Sequence, residues 1–162
     1  APVAEAGPVG DSPVLRLAAT EKNGEHYLVA TWTAPQGGPF TFSTYVRADP
    51  GMPLRLQLLD DRGNAAIADF VIGGRTPTVS AAGKAGAPAA SGVALTEGWE
   101  RLSVSALLPG RRGSVLIQLA HPQLGTSFAG PGVEIAVQAP MVEAGRAASP
   151  YCAPGRCRAG KS

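Results

Sequence analysis

From Leu54 onward the chain reads as one short alternating strand after another, passing through Gly98-Trp99-Glu100-Arg101-Leu102-Ser103-Val104 and closing on Val142-Glu143-Ala144-Gly145. Period-two alternation sends one side chain to the core and the next to solvent. A chain made of such segments buries its apolar faces only by stacking two sheets or by closing a barrel. Its 162 residues suffice for one domain with a sizeable core. No window shows a sustained helical period, because Gly and Pro interrupt every stretch long enough for one. The expectation is an all-β sandwich of antiparallel hairpins.

The strands follow in order. Pro13 to Thr20 alternates weakly and is bounded by an Asn23-Gly24 turn. His26 to Thr33 places Tyr27, Val29 and Thr31 on one face and Leu28, Ala30 and Trp32 on the other. Phe40 to Ala48 sets Phe40, Phe42, Thr44 and Val46 against Thr41, Ser43, Tyr45 and Arg47. In Pro53 to Leu59 the leucines 54, 56 and 58 oppose Arg55, Gln57 and Leu59. Asp60-Asp61-Arg62-Gly63-Asn64 then forms a hairpin connection to Ala66–Ile72. Gly73 to Ser91 is rich in Gly, Ala, Thr and Pro and reads mainly as loop, with one short strand near Thr78–Ser80. Val93–Leu95, Trp99–Leu107, Ser114–Ala120 and Val133–Glu143 supply the remaining strands. Residues 1–12 form an extended N-terminal arm, 13–151 the sandwich and 152–162 a C-terminal tail.

Charge excludes several roles. The formal net charge of +2 is small, and the basic residues are scattered or gathered in a turn and the tail. Nucleic-acid binders concentrate them on one face instead. No apolar run approaches the roughly 18 residues of a membrane span, so membrane insertion is not expected. Cys152 and Cys157 are the only cysteines; Pro154-Gly155 between them favours a turn that brings the sulfurs together. An oxidised clip in an extracellular setting is the preferred reading and two free thiols the alternative.

Catalysis is not expected. His26 and His121 sit without a nucleophile motif and read as surface histidines. The acids Asp69, Glu97, Glu100, Glu134 and Glu143 fit charges on outward strand faces. Asp60, Asp61 and Asn64 invite a structural calcium as the sole cofactor candidate, but the segment lacks a bidentate Glu and a dedicated loop's length, and a hairpin turn favours the same residues. If Phe40 and Phe42 fill the core along with Tyr27 and Val29, then Trp32 and Tyr45 are partly exposed beside Arg47, Arg55 and Gln57. Aromatic rings pack on the apolar faces of sugars while polar neighbours fix the hydroxyls, so these five residues form a ligand platform on that reading. The alternative is that Trp32 and Tyr45 cover a second apolar layer or a subunit contact.

Asn23-Gly24-Glu25-His26-Tyr27, Phe40-Thr41-Phe42-Ser43-Thr44-Tyr45-Val46-Arg47-Ala48, Gly98-Trp99-Glu100-Arg101-Leu102-Ser103-Val104, and Val142 to Tyr151 occur in one order. That ordered set resembles the jelly-roll domains of phage head-spike and tail-fibre proteins, which are similar to carbohydrate-binding modules. The resemblance spans about Pro8 to Tyr151. It implies a two-sheet antiparallel jelly roll on the virion surface, non-catalytic and homo-oligomeric. Its implied partners are a cell-surface polysaccharide or other glycan and other virion proteins. A purely structural capsid or fibre component, and the binding module of a secreted polysaccharide-degrading enzyme, are the alternatives. The chain departs from the family in lacking an aromatic near Val137-Gln138 and in carrying Cys152 after Tyr151. No binding residue is carried over from the family.

Overall fold

A computed structural model describes residues 7–10, 12–19, 22–74, 76–121, 125–128 and 133–149. Twelve strands are found among them: β1 Val14–Ala18, β2 Gly24–Glu25, β3 Tyr27–Thr33, β4 Gly38–Arg47, β5 Pro53–Asp60, β6 Ala65–Val71, β7 Thr78–Ala82, β8 Gly86–Ala94, β9 Trp99–Leu108, β10 Arg112–Leu119, β11 Ser127–Phe128 and β12 Glu134–Ala144. The one helical element among the described residues is a 3-10 turn, Thr96–Gly98. The chain is all-β, with two five-stranded antiparallel sheets packed face to face. The first has the order β1-β12-β4-β9-β8, the second β3-β10-β5-β6-β7, and β2 and β11 form a small third ladder. The two cysteines lie outside the described residues, as does most of the predicted N-terminal arm.

Alternation sets the core as the sequence predicts. Phe40, Phe42 and Val46 of β4 and Leu102 and Val104 of β9 meet Leu54, Leu56 and Leu58 of β5 and Val115, Ile117 and Leu119 of β10. Each such side chain contributes about 1.5–3 kcal/mol through removal from water.

In β3 the faces are reversed from expectation. The register pairs Leu28 with Ile117 and Trp32 with Gly113, which turns these two toward the core, while Ala30 between them stays exposed on this edge strand. Trp32 is 7% exposed, with its ring 4.7 Å from that of Phe40, whereas Tyr27 and Val29 are 46% and 59% exposed. Both parities of β3 carry bulky residues, so the strand's own pattern did not decide its facing. The neighbouring β10 did.

His26 is also buried rather than at the surface. The β2–β11 ladder lays Phe128 against it, ring centroids 4.7 Å apart, and its Nε2 lies 2.6 Å from the Phe128 carbonyl oxygen. The Gly/Ala-rich stretch before Ser91, expected to be mainly loop, contains the nine-residue β8 on the edge of the first sheet.

The outer face of the first sheet is partly covered by chain. Gln138 of β12 is fully buried beneath residues 7–10 and Ser12: its Oε1 accepts from Val9 N–H at 2.9 Å, and its Nε2 donates to the carbonyls of Val9 and Ser12 at 2.6 and 2.7 Å. A bulge makes this geometry compatible with the core. Between Gln138 and Met141 three steps of β12 oppose two of β4, with Ala139 at φ 51°. The extra residue switches parity, so Gln138 faces out while Val142 pairs with Phe42 and faces in. Beyond β12, Gly145–Ser149 folds back over Thr41, whose hydroxyl donates to the Gly145 carbonyl at 2.8 Å.

Candidate functional site

The structure does not assemble Trp32, Tyr45, Arg47, Arg55 and Gln57 into one platform. Trp32 lies in the core. Tyr45 and Arg47 point from the outer face of the first sheet, where the Arg101 guanidinium lies 5.2 Å above the Tyr45 ring and that of Arg47 5.2 Å above Trp99. Trp99 is buried beneath the Arg47 guanidinium. Arg55 and Gln57 belong to the opposite side of the sandwich, on the outer face of the second sheet. Chain segments adjacent in sequence enter different sheets, which separates residues a linear reading grouped.

Arg55 instead belongs to a row running across five strands. Strand register places Tyr27 of β3 beside Gln118 of β10, Gln118 beside Arg55 of β5, Arg55 beside Asp69 of β6, and Asp69 beside Thr78 of β7. With strands about 4.8 Å apart, the row is about 19 Å long. Arg55 Nε donates to Asp69 Oδ1 at 2.8 Å and Nη2 to Oδ2 at 3.2 Å, a parallel fork. Gln57 Nε2 donates to Gln118 Oε1, and Gln118 Nε2 to Glu25 Oε1 at 3.4 Å. The hydrogen bond from Arg55 to Asp69 raises the arginine's pKa against the opposing effect of burial, with the charges of Asp69 and Glu25 adding to the rise. The side chains of Arg55 and Asp69 keep 33% and 50% of their surface, so the pair adds at most about 1 kcal/mol to stability.

At one end of the row the surface opens into a cleft of about 300 Å³. Leu54 and Phe70 contribute its apolar wall, Arg55 and Asp69 its charged pair, and Thr76 and Thr78 its hydroxyls. The volume suits a small ligand. Acceptor, donor and hydroxyl groups stand side by side over an apolar floor, with an exposed tyrosine further along. Such a surface can hydrogen-bond adjacent hydroxyls and pack on C–H groups.

Tyr27, Asp69, Thr78 and Gln118 were not among the sequence-predicted site residues. One signal was available for Asp69: the hairpin closed by Asp60–Asn64 pairs it directly with Arg55.

The Asp60 cluster is fully engaged in hydrogen bonds. Asp60 Oδ1 accepts from the N–H groups of Arg62 and Asn64 at 2.9 and 3.0 Å, and Oδ2 from Asn64 Nδ2 and Gly110 N–H, both at 2.9 Å. Asn64 Oδ1 accepts from Lys84 N–H at 2.6 Å, and Asp61 pairs with Arg112 at 3.1 Å. The oxygens considered for calcium thus already serve as acceptors in a polar clamp joining three turns. Burial, the largest single influence, pushes the Asp60 pKa up; the hydrogen bonds from Asn64, Arg62 and Gly110 together outweigh it and hold the carboxyl below its usual range.

No protein-family model matches this chain, and no curated protein matches it in sequence.

Proposed function

We propose that this chain is a non-catalytic glycan-binding module with a jelly-roll fold. The observation that carries the reading is the row whose exposed and half-exposed members are Tyr27, Arg55, Asp69 and Thr78, bridged by the buried Gln118, beside its cleft. Each sugar hydroxyl is both donor and acceptor, which suits a guanidinium and a carboxylate held side by side. The exposed Tyr27 ring offers an apolar face for pyranose C–H groups. A length of about 19 Å favours an oligosaccharide over a single sugar.

The jelly-roll assignment is supported by the pairing of β1 with β12, β3 with β10, β4 with β9, and β5 with β6. An antiparallel ribbon wrapped round a barrel gives such nested pairs. On the ordered motifs described above, the setting we propose is an extracellular appendage of a phage-like particle, homo-oligomeric and joined to other virion proteins. A purely structural role is the second reading. It is favoured by Val29, Leu116 and Ile67, which lie on the row's own sheet face and offer apolar area to a neighbouring subunit.

A glycan array probed with the purified chain, read with adsorption of particles lacking it, tests the proposal. Saturable binding to a set of bacterial surface glycans, with reduced adsorption, is expected. An empty array with unimpaired adsorption would overturn it.

A further inference from the structure

The outer face of the first sheet holds a second concavity, unrelated to the row on the opposite side. A groove of about 240 Å³ runs along β8 and β9, with Arg146–Ala148 as its far wall. Strand register lines up Val93 with Arg101, Ser91 with Ser103, and Ala89 with Ser105 across it. The groove therefore combines two guanidinium groups, Arg101 and Arg146, with the hydroxyls of Ser91, Ser103 and Ser105. No carboxylate lines it among the described residues. The acids of the nearby β12 are engaged elsewhere: Glu134 pairs with Arg16, and Glu143 accepts from the backbone N–H and the hydroxyl of Ser149.

Arg101 is held in place before any ligand arrives. Its guanidinium stacks over Tyr45 at 5.2 Å, and Nη2 donates to Ser43 Oγ at 3.3 Å. Its Nε is buried and has no acceptor among the described residues. A partly desolvated cation without a counter-charge is unfavourable, and an anion beside it relieves that cost. Guanidinium groups recognise planar and tetrahedral oxyanions through paired N–H donors, while serine hydroxyls donate to the remaining oxygens. The small side chains of Ala89, Ala147 and Ala148 leave the space open.

We propose that this groove is an oxyanion-binding site for the carboxylate, sulfate or phosphate group of a small polar ligand, with Arg101 as its fixed anchor and Arg146 as its second cation. The groove stands independently of the saccharide row, and the two sites report on different amides.

The test is an NMR titration of the whole chain with sodium sulfate, sodium phosphate and sodium glucuronate, each up to roughly 100 mM against sodium chloride of matched ionic strength. Saturable shifts at Ser91, Ser103 and Arg146, absent with chloride, are expected. Arg146→Gln should weaken binding about tenfold or more, since it removes one charge-assisted contact. Arg146 is exposed and makes no hydrogen bond or ion pair among the described residues, so this variant should keep the wild-type melting temperature. Arg101→Gln should abolish saturation. Tighter binding of glucuronate than of sulfate identifies an acidic sugar as the ligand; equal or tighter binding of the inorganic ions identifies the free oxyanion, and both support the site. Shifts that chloride reproduces, no saturable shift with any probe, or an affinity unchanged by Arg146→Gln would overturn it.

Discussion

The Trp32 Nε1–H donates to the Leu59 carbonyl at 3.1 Å, reaching from β3 across β10 to β5. It crosses at Gly113, the residue paired with Trp32 on one side and Asp60 on the other. A Cβ at Gly113 would collide with that same carbonyl. One glycine thus gives a core indole access to a backbone acceptor two strands away, and satisfies its donor inside the sandwich.

Trp32→Ala should therefore cost about 3–5 kcal/mol of folding stability, the range for emptying a large aromatic site. Trp32→Phe, which keeps an aromatic ring but removes the Nε1–H that reaches the Leu59 carbonyl, should cost less. Urea denaturation measures both. A Trp32→Ala variant with wild-type stability and weakened sugar binding would restore the exposed-platform reading for this residue.

Asp60 makes stability depend on acid. Its carboxyl is held below the usual range in the folded chain, so the native state takes up this proton less readily than the unfolded state. The contribution is fully present above the unfolded pKa of about 3.9 and is lost as pH falls through the folded value. Asp60→Asn should be about 2 kcal/mol less stable at neutral pH, because donors that served a charged acceptor lose it. It should also show a flatter acid limb between about pH 3 and 5. Denaturation midpoints across that range test both statements; equally steep limbs in the two proteins would contradict them.

Gln138 ties the residues before β1 to the first sheet by three hydrogen bonds. Gln138→Ala should cost about 1–3 kcal/mol and leave the Val9 and Ser12 backbone groups to water. Hydrogen exchange at Val9 should accelerate far more than exchange at Leu56 or Ile117. Unchanged protection at Val9 would show that other contacts hold the segment.

Much of this fold is legible in the sequence because leucine, valine and phenylalanine recur at alternate positions with polar partners between them. β5 is the clearest case, its three inward leucines matching the pattern residue for residue. β3 defeats the same reasoning: Tyr27 and Val29 match Leu28 and Trp32 in bulk, and only the register with β10 decides which pair is buried. β8 is hidden for the opposite reason, since Gly, Ala and Ser give it no apolar face to detect. In β12 the bulge between Gln138 and Met141 changes parity, and Pro140 within it is the marker that a reading of Val133–Glu143 as one unbroken strand passes over.

The candidate site was legible only in part. Arg55 is readable because it alternates with core leucines, whereas the alternation in β3 leaves the facing of Tyr27 undecided. Tyr45 and Arg47 were joined to Arg55 by closeness in the chain, although β4 and β5 belong to opposite sheets. Thr78 and Gln118 reach the row only through long-range pairing, which no local spacing encodes.

The most direct test of the saccharide row is calorimetric titration of an oligosaccharide identified on the glycan array into the wild-type chain, Asp69→Ala and Tyr27→Ala. Asp69 and Tyr27 are both exposed, so neither change should lower the denaturation midpoint by more than a minor amount. A loss of roughly tenfold or more in affinity for Asp69→Ala, and of about 1 kcal/mol for Tyr27→Ala, is the predicted result. Wild-type affinity in both variants would contradict the account and move glycan binding away from this face of the sandwich.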